Sequence, residues 1–146
     1  MTESPARRLQ AGVVAAIALG GAIGTLGRYG LFVAFPTKVE QFPWTTLVIN
    51  LGGSLVLGVV QHIALQIRPL SRLLRPFLVI GVLGGFTTFS TVAVEIVQRT
   101  QHHPSIAALY LAASVVGGPL AILAGGAGSR AGLSLVGARR GREPSS

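Results

Sequence analysis

The chain has 146 residues, half of them apolar and only 11% charged, and its four acidic residues are all Glu. A soluble domain carries about 25% charged residues, so the composition is that of a membrane protein. The absence of cysteine excludes disulfides, thiolate metal sites and Cys nucleophiles, and the net charge of +8 sits in tails and loops. That placement makes it a topology signal rather than a nucleic-acid surface.

Residues 1–10 read as a polar N-terminal tail with Arg7 and Arg8 beside the membrane. The first span covers about 11–35, longer than the roughly 7–15 apolar residues of a signal peptide. Gly20, Gly24 and Gly27 fall on one helical face, a small-residue stripe that lets another helix approach closely. Arg28, in or near the end of this span, is either a snorkelling interfacial arginine or a cation at an aqueous entrance. A short loop with Pro36 and Pro43 leads to the second span, 44–66, opened by Trp44 at an interface position. Thr46 and Asn50 share a face of it; Asn50 is open to two readings, helix–helix glue or a pathway donor.

A basic loop with Arg68, Arg72 and Arg75 precedes the third span, 77–98. At its centre lies Gly81-Val82-Leu83-Gly84-Gly85-Phe86-Thr87-Thr88-Phe89-Ser90-Thr91, with three glycines and four hydroxyl residues in a run of five. Lipid alone does not call for that composition. Bendable backbone and polar groups at membrane depth are tolerated where they pack in protein or line a wet cavity. Glu95 follows. A turn with Arg99, His102, His103 and Pro104 leads to the fourth span, 106–126, where Tyr110, Ser114 and Gly118 align at four-residue steps. Pro119 is expected to bend it. Residues 127–146 read as a disordered, basic C-terminal tail.

Four spans put both termini on one side. That side holds Arg7, Arg8, Arg68, Arg72, Arg75, Arg130, Arg139, Arg140 and Arg142, against Lys38 and Arg99 on the other. The positive-inside rule places both termini in the cytoplasm, with the chain multi-pass in the inner or plasma membrane. Four helices are too few to enclose a generous pore alone, so an oligomer is expected. The polar groups in the spans are mostly hydrogen-bond donors. A proton-coupled pump should show more carboxylates, and a hydrolase needs a nucleophile paired with a base, which the spans do not offer. Donors without many carboxylates suit a small anion.

Three stretches then carry a family resemblance. Gly20-Gly21-Ala22-Ile23-Gly24-Thr25-Leu26-Gly27-Arg28-Tyr29, Thr46-Leu47-Val48-Ile49-Asn50-Leu51-Gly52-Gly53 and Gly84-Gly85-Phe86-Thr87-Thr88-Phe89-Ser90-Thr91 resemble, in order, the first-, second- and third-helix signatures of the Fluc/CrcB fluoride-channel family. The resemblance implies an all-α membrane protein of four transmembrane helices, the third broken at its centre, in an antiparallel, dual-topology-type dimer. It implies two fluoride pathways along the subunit interface. Backbone carbonyls of Gly84 and Thr87 from both subunits would hold a structural sodium ion. Asn50 would donate to the anion and Phe89 would present its ring edge. Thr46, Ser90, Thr91, Tyr110 and Ser114 would line or support the polar track, and Arg28 would sit near a vestibule. Glu95 receives no role.

The sequence departs from the family pattern at two positions on the expected pathway. Val92 stands where a second phenylalanine is usual, and Gly118 where a second serine of the fourth helix is usual. The charge bias also bears on assembly. One sequence inserted both ways wants balanced loops, so the expected partner is an oppositely oriented paralogue, with one pathway impaired. A small proton-coupled exporter and a non-conducting assembly subunit are the competing classes.

Overall fold

The computed structural model describes residues 5–66 and 70–140, and all regular structure among them is helical. Helix α1 is Pro5–Ala34 and α2 is Trp44–Gln66. The third span is composite: a π-helical segment Pro76–Leu83, one helical turn α3 at Gly84–Phe86, and α4 at Phe89–Thr100. Helix α5 is Pro104–Arg140. Four stretches are long and apolar enough to cross a membrane: Arg8–Ala34, Trp44–Leu65, Pro76–Thr100 and Pro104–Gly132. Arg68, Arg142 and the first four residues lie outside the described residues.

The expected fourth span ended at 126, with an irregular tail beyond it; α5 instead continues to Arg140 with Pro119 inside it. Gly125, Gly126, Gly128, Gly132 and Gly137 each cost a helix about 0.8–1.0 kcal/mol relative to Ala, yet with no proline among them the helix continues through the interspersed Ala, Leu and Arg.

Burial is inverted relative to a water-soluble bundle. The buried apolar residues are few, among them Leu47, Ile49, Leu83 and Val92, while Val14, Leu26, Val48, Leu65, Leu109 and Leu123 are exposed. So much outward apolar surface needs lipid or a partner against it.

The helices associate through glycine. A Cβ built on Gly20 would strike the Phe77 carbonyl, and one on Gly24 the Val82 carbonyl. One on Gly81 would come 2.8 Å from the Ile17 carbonyl. On the other pair, a Cβ on Gly58 would strike the Ile122 carbonyl, and one on Gly125 the Leu55 carbonyl. Residue numbers rise together from Gly20–Phe77 to Gly24–Val82, and from Gly117, whose Cβ would meet Leu51, to the Gly58–Ile122 contact. So α1 runs parallel to the third span, and α2 parallel to α5. Among the described residues no glycine has a positive φ. These glycines therefore supply small size, allowing van der Waals contact between backbones.

Candidate functional site

The site is built on a gap in the third span. Thr87 has ψ 157° and Thr88 has φ −148° and ψ 116°, so two extended residues separate α3 from α4. A continuous helix would send the Thr88 N–H to the Gly84 carbonyl. Instead it donates to Asn50 Oδ1 at 2.8 Å, and Asn50 Nδ2 donates back to the Thr88 carbonyl at 3.0 Å. Asn50 thus replaces the missing helical acceptor of the Thr88 N–H and adds a donor to the carbonyl of the same residue. A side-chain amide has two N–H hydrogens. One remains for another acceptor.

Thr88 is the hub, and it was not among the site residues expected from sequence. Its Oγ1 accepts from the Thr91 N–H at 3.2 Å, capping α4. The same oxygen lies 2.9 Å from Thr91 Oγ1 and 3.3 Å from Ser90 Oγ. A Thr two positions past a Gly-Gly-Phe turn and just before a helical stretch is an N-cap signal that could have marked it. Thr25 is a second omission: its hydroxyl donates across from α1 to the Gly85 carbonyl at 3.4 Å.

The diverted bonds release particular carbonyls. Gly84 loses the Thr88 N–H to Asn50, and Thr87 loses the Thr91 N–H to the cap. Gly84 is exposed, and the atoms nearest a Cβ built on it begin only at 3.9 Å. These are the carbonyls for which the resemblance implies sodium. Carbonyl oxygens released from helical bonding are ligands of the kind a hard cation takes.

A second cluster sits nearer the α1–α2 connection. Glu95 on α4 accepts from Thr46 Oγ1 on α2 at Oε1 and from the Tyr110 hydroxyl on α5 at Oε2, both at 2.9 Å. Thr46 and Tyr110 are fully buried. Each hydroxyl has one proton, and both protons point at the carboxylate. In this arrangement the two residues anchor Glu95 rather than offer donors to an anion. The Phe42 ring closes the cluster edge-on against Tyr110, centroids 5.7 Å apart.

Arg99, one turn beyond Glu95, is 1% exposed. Its Nε donates to the Gln41 carbonyl at 3.0 Å, Nη2 to Lys38 at 3.0 Å and Nη1 to Glu95 at 3.1 Å, in each case to backbone oxygen. Arg99 entered the topology count as a loop charge; the structure buries it as a latch on the α1–α2 connection. Its reach places that connection and the α4–α5 turn at the same end of the bundle. At the other end a Cβ on Gly12 would touch Leu73, so the start of α1 and the basic segment before the third span lie together.

A groove of about 670 Å³ runs past the Thr87–Thr88 gap, without reaching Glu95 or Arg99. Asn50, Gly84, Thr88, Phe89, Ser114 and Gly118 all line it. Phe89 is 84% exposed, whereas Phe86 packs between Gly27 and Gly53. Ser114 Oγ is buried and has no hydrogen-bond partner among the described residues. Val92 lines the groove but is 4% exposed, packed with Leu47 and Tyr110. Arg28 is half-buried on α1, and no hydrogen bond joins it to these groups among the described residues. His62, inside α2, is a histidine within a span that the reading of the polar residues passed over.

Four helices long and apolar enough to cross a membrane, with a largely apolar groove beside the third span that holds a few hydrogen-bonding side chains, define a multi-pass membrane protein. Residues 15–126 match the family described as "CrcB-like protein, Camphor Resistance (CrcB)", and the chain belongs to that family. It is 47% identical over 119 residues to a Streptomyces avermitilis protein named "Fluoride-specific ion channel FluC 2", covering 77% of this chain and 75% of that one. A second protein of that organism, "Fluoride-specific ion channel FluC 3", is 42% identical over 76% of this chain, but the match spans only 55% of its own length. A Nocardia farcinica protein named "Fluoride-specific ion channel FluC 2" is 41% identical over 84% of this chain and 87% of its own.

Proposed function

We propose that the chain is a subunit of a passive, fluoride-selective channel that lets fluoride leave the cytoplasm. The observation that carries this reading is the donor character of the groove. The second amide hydrogen of Asn50 and the unpartnered Ser114 hydroxyl stand in one largely apolar cleft. Fluoride holds water tightly, so its passage requires fixed donors in place of the hydration shell. Those donors must bind weakly enough to release. The names of the relatives support the same anion.

The rest of the proposal follows the family pattern. The Thr87–Thr88 interruption is the break in the third helix. Gly84 and Thr87 carbonyls hold a structural sodium ion together with those of an antiparallel mate. The exposed Phe89 presents its ring edge, with Ser90 and Thr91 supporting the track. Arg28 raises anion concentration at a vestibule. Thr46 and Tyr110 act through Glu95.

Purified protein in liposomes should release fluoride rapidly down its gradient, without response to a proton gradient and with chloride excluded. Efflux that requires a proton gradient would favour a coupled exporter instead. The mate is an oppositely oriented paralogue, as the one-sided charge suggests and as two related chains in one Streptomyces make plausible. Reporter fusions at each terminus should then report a single, cytoplasmic side. Equal signals from both sides would overturn the heterodimer and favour a homodimer. A chain silent alone, whose paralogue conducts only with it present and only through the paralogue's own pathway, would be an assembly subunit; silence in both conditions would overturn the channel reading.

A further inference from the structure

Position 118 breaks the row of hydroxyls on α5. Tyr110 and Ser114 precede it at four-residue steps, and Gly118 has no side chain to continue them. A Cβ built on Gly118 comes 3.9 Å from Ser54 Oγ on α2, ordinary van der Waals contact. A hydroxyl carried by that Cβ would stand beside the one Ser54 already supplies. Ser54 also completes a stripe on its own helix. Thr46, Asn50 and Ser54 follow at four-residue steps and share a face.

Both helices hold this register firmly. Gly117 faces Leu51, Gly125 faces Leu55 and Gly58 faces Ile122. Ser54 and Gly118 are therefore opposed at one level of a parallel pair, one turn beyond the Asn50 and Ser114 level. All four residues line the same groove. The absent side chain at 118 leaves space directly in front of the Ser54 hydroxyl.

We infer that Ser54 contacts the permeating anion, donating from α2 the hydroxyl that position 118 lacks on α5. The inference rests on the fluoride-channel reading. The Gly118 departure then relocates a donor instead of deleting one, and the pathway through this chain's groove stays continuous toward its basic end.

The test uses the full chain in liposomes, with the paralogue where it is needed. Ser54→Ala should slow fluoride efflux by about tenfold, the loss of one hydrogen bond to a charged partner. Adding Gly118→Ser to that variant should restore most of the rate, because the hydroxyl returns from the facing helix. Unchanged efflux in Ser54→Ala overturns the inference. So does a loss that Gly118→Ser leaves unrepaired while the thermal melt of the double variant matches wild type. A second measurement does not depend on conduction. The chain has no cysteine, so Ser54→Cys introduces a unique thiol. A small charged methanethiosulfonate should modify it from water, more slowly with fluoride present. A thiol that stays unmodified overturns the inference even if the wild type conducts. A modified thiol that fluoride does not protect, in a wild type without fluoride flux, overturns the fluoride reading and the anion contact together.

Discussion

Asn50→Ala is expected to reduce fluoride efflux by on the order of a hundredfold. The reason is structural before it is chemical. Asn50 Oδ1 and Nδ2 hold the N–H and the carbonyl of Thr88, which is 6% exposed. Removing the amide leaves the Thr88 N–H unpaired at membrane depth, at about 1–3 kcal/mol, and strips the side-chain donor from its carbonyl. The inexpensive escape is for the Thr88 N–H to return to Gly84. That would straighten the third span and remove the carbonyls proposed for sodium. Asn50→Asp separates the two halves of the role. It keeps an acceptor for the Thr88 N–H but cannot donate to the carbonyl, and it adds negative charge in an anion path. It should lose efflux as completely as Ala while retaining more of the thermal stability. Efflux near wild type in either variant would contradict this account of the gap.

A methyl group at Gly24 should prevent stable folding. The Gly24 Cβ position is occupied by the Val82 carbonyl, with the Phe86 nitrogen 2.8 Å away. Ala is favoured over Gly in a helix interior by about 0.8–1 kcal/mol. Propensity alone therefore predicts a gain. Overpacking against side chains typically costs about 1–3 kcal/mol, and here the obstacle is backbone that cannot rotate away. Collision wins, so Gly24→Ala should lose its monodisperse peak on size exclusion in detergent. Gly21 is the internal control, three residues earlier, with nothing within 4 Å of its built Cβ. Gly21→Ala should match or exceed wild-type stability. Equal behaviour of the two variants would show that the α1 contact is looser than described.

The contrast between these residues explains what was legible in the sequence. The glycine stripe at 20, 24 and 27 could be read because helical periodicity is local. Its two tight members meet the third span through backbone, while Gly27 touches only the Phe86 ring. The four spans were legible from apolar length, and α2 coincides with its expected bounds. Hydropathy says nothing of hydrogen-bond register, so it could not announce the π-helical turns of Pro76–Leu83. The pairing of Asn50 with Thr88 joins residues 38 apart, and that of Thr46 with Glu95 residues 49 apart. No periodicity encodes such matches. Asn50 was therefore read as glue or donor, Thr88 passed as one hydroxyl among four, and Glu95 had no role. Arg99 was read at the right end of the bundle, beside Lys38, but its burial went unread for the same reason: its acceptors lie 58 and 61 residues away.

Those separations give the buried guanidinium a bearing on biogenesis. During synthesis the first helical hairpin is made, and its connecting carbonyls at Lys38 and Gln41 exposed, well before Arg99 leaves the ribosome. With both termini cytoplasmic, as proposed, the arginine must cross the bilayer to reach them, and the translocation cost of its charge is offset only when all three carbonyls are in place. Early stages are thereby left reversible, and the last hairpin fastens the first. A nascent chain stalled before residue 99 should remain open to quality-control proteases, whatever the hydropathy of the helices already inserted.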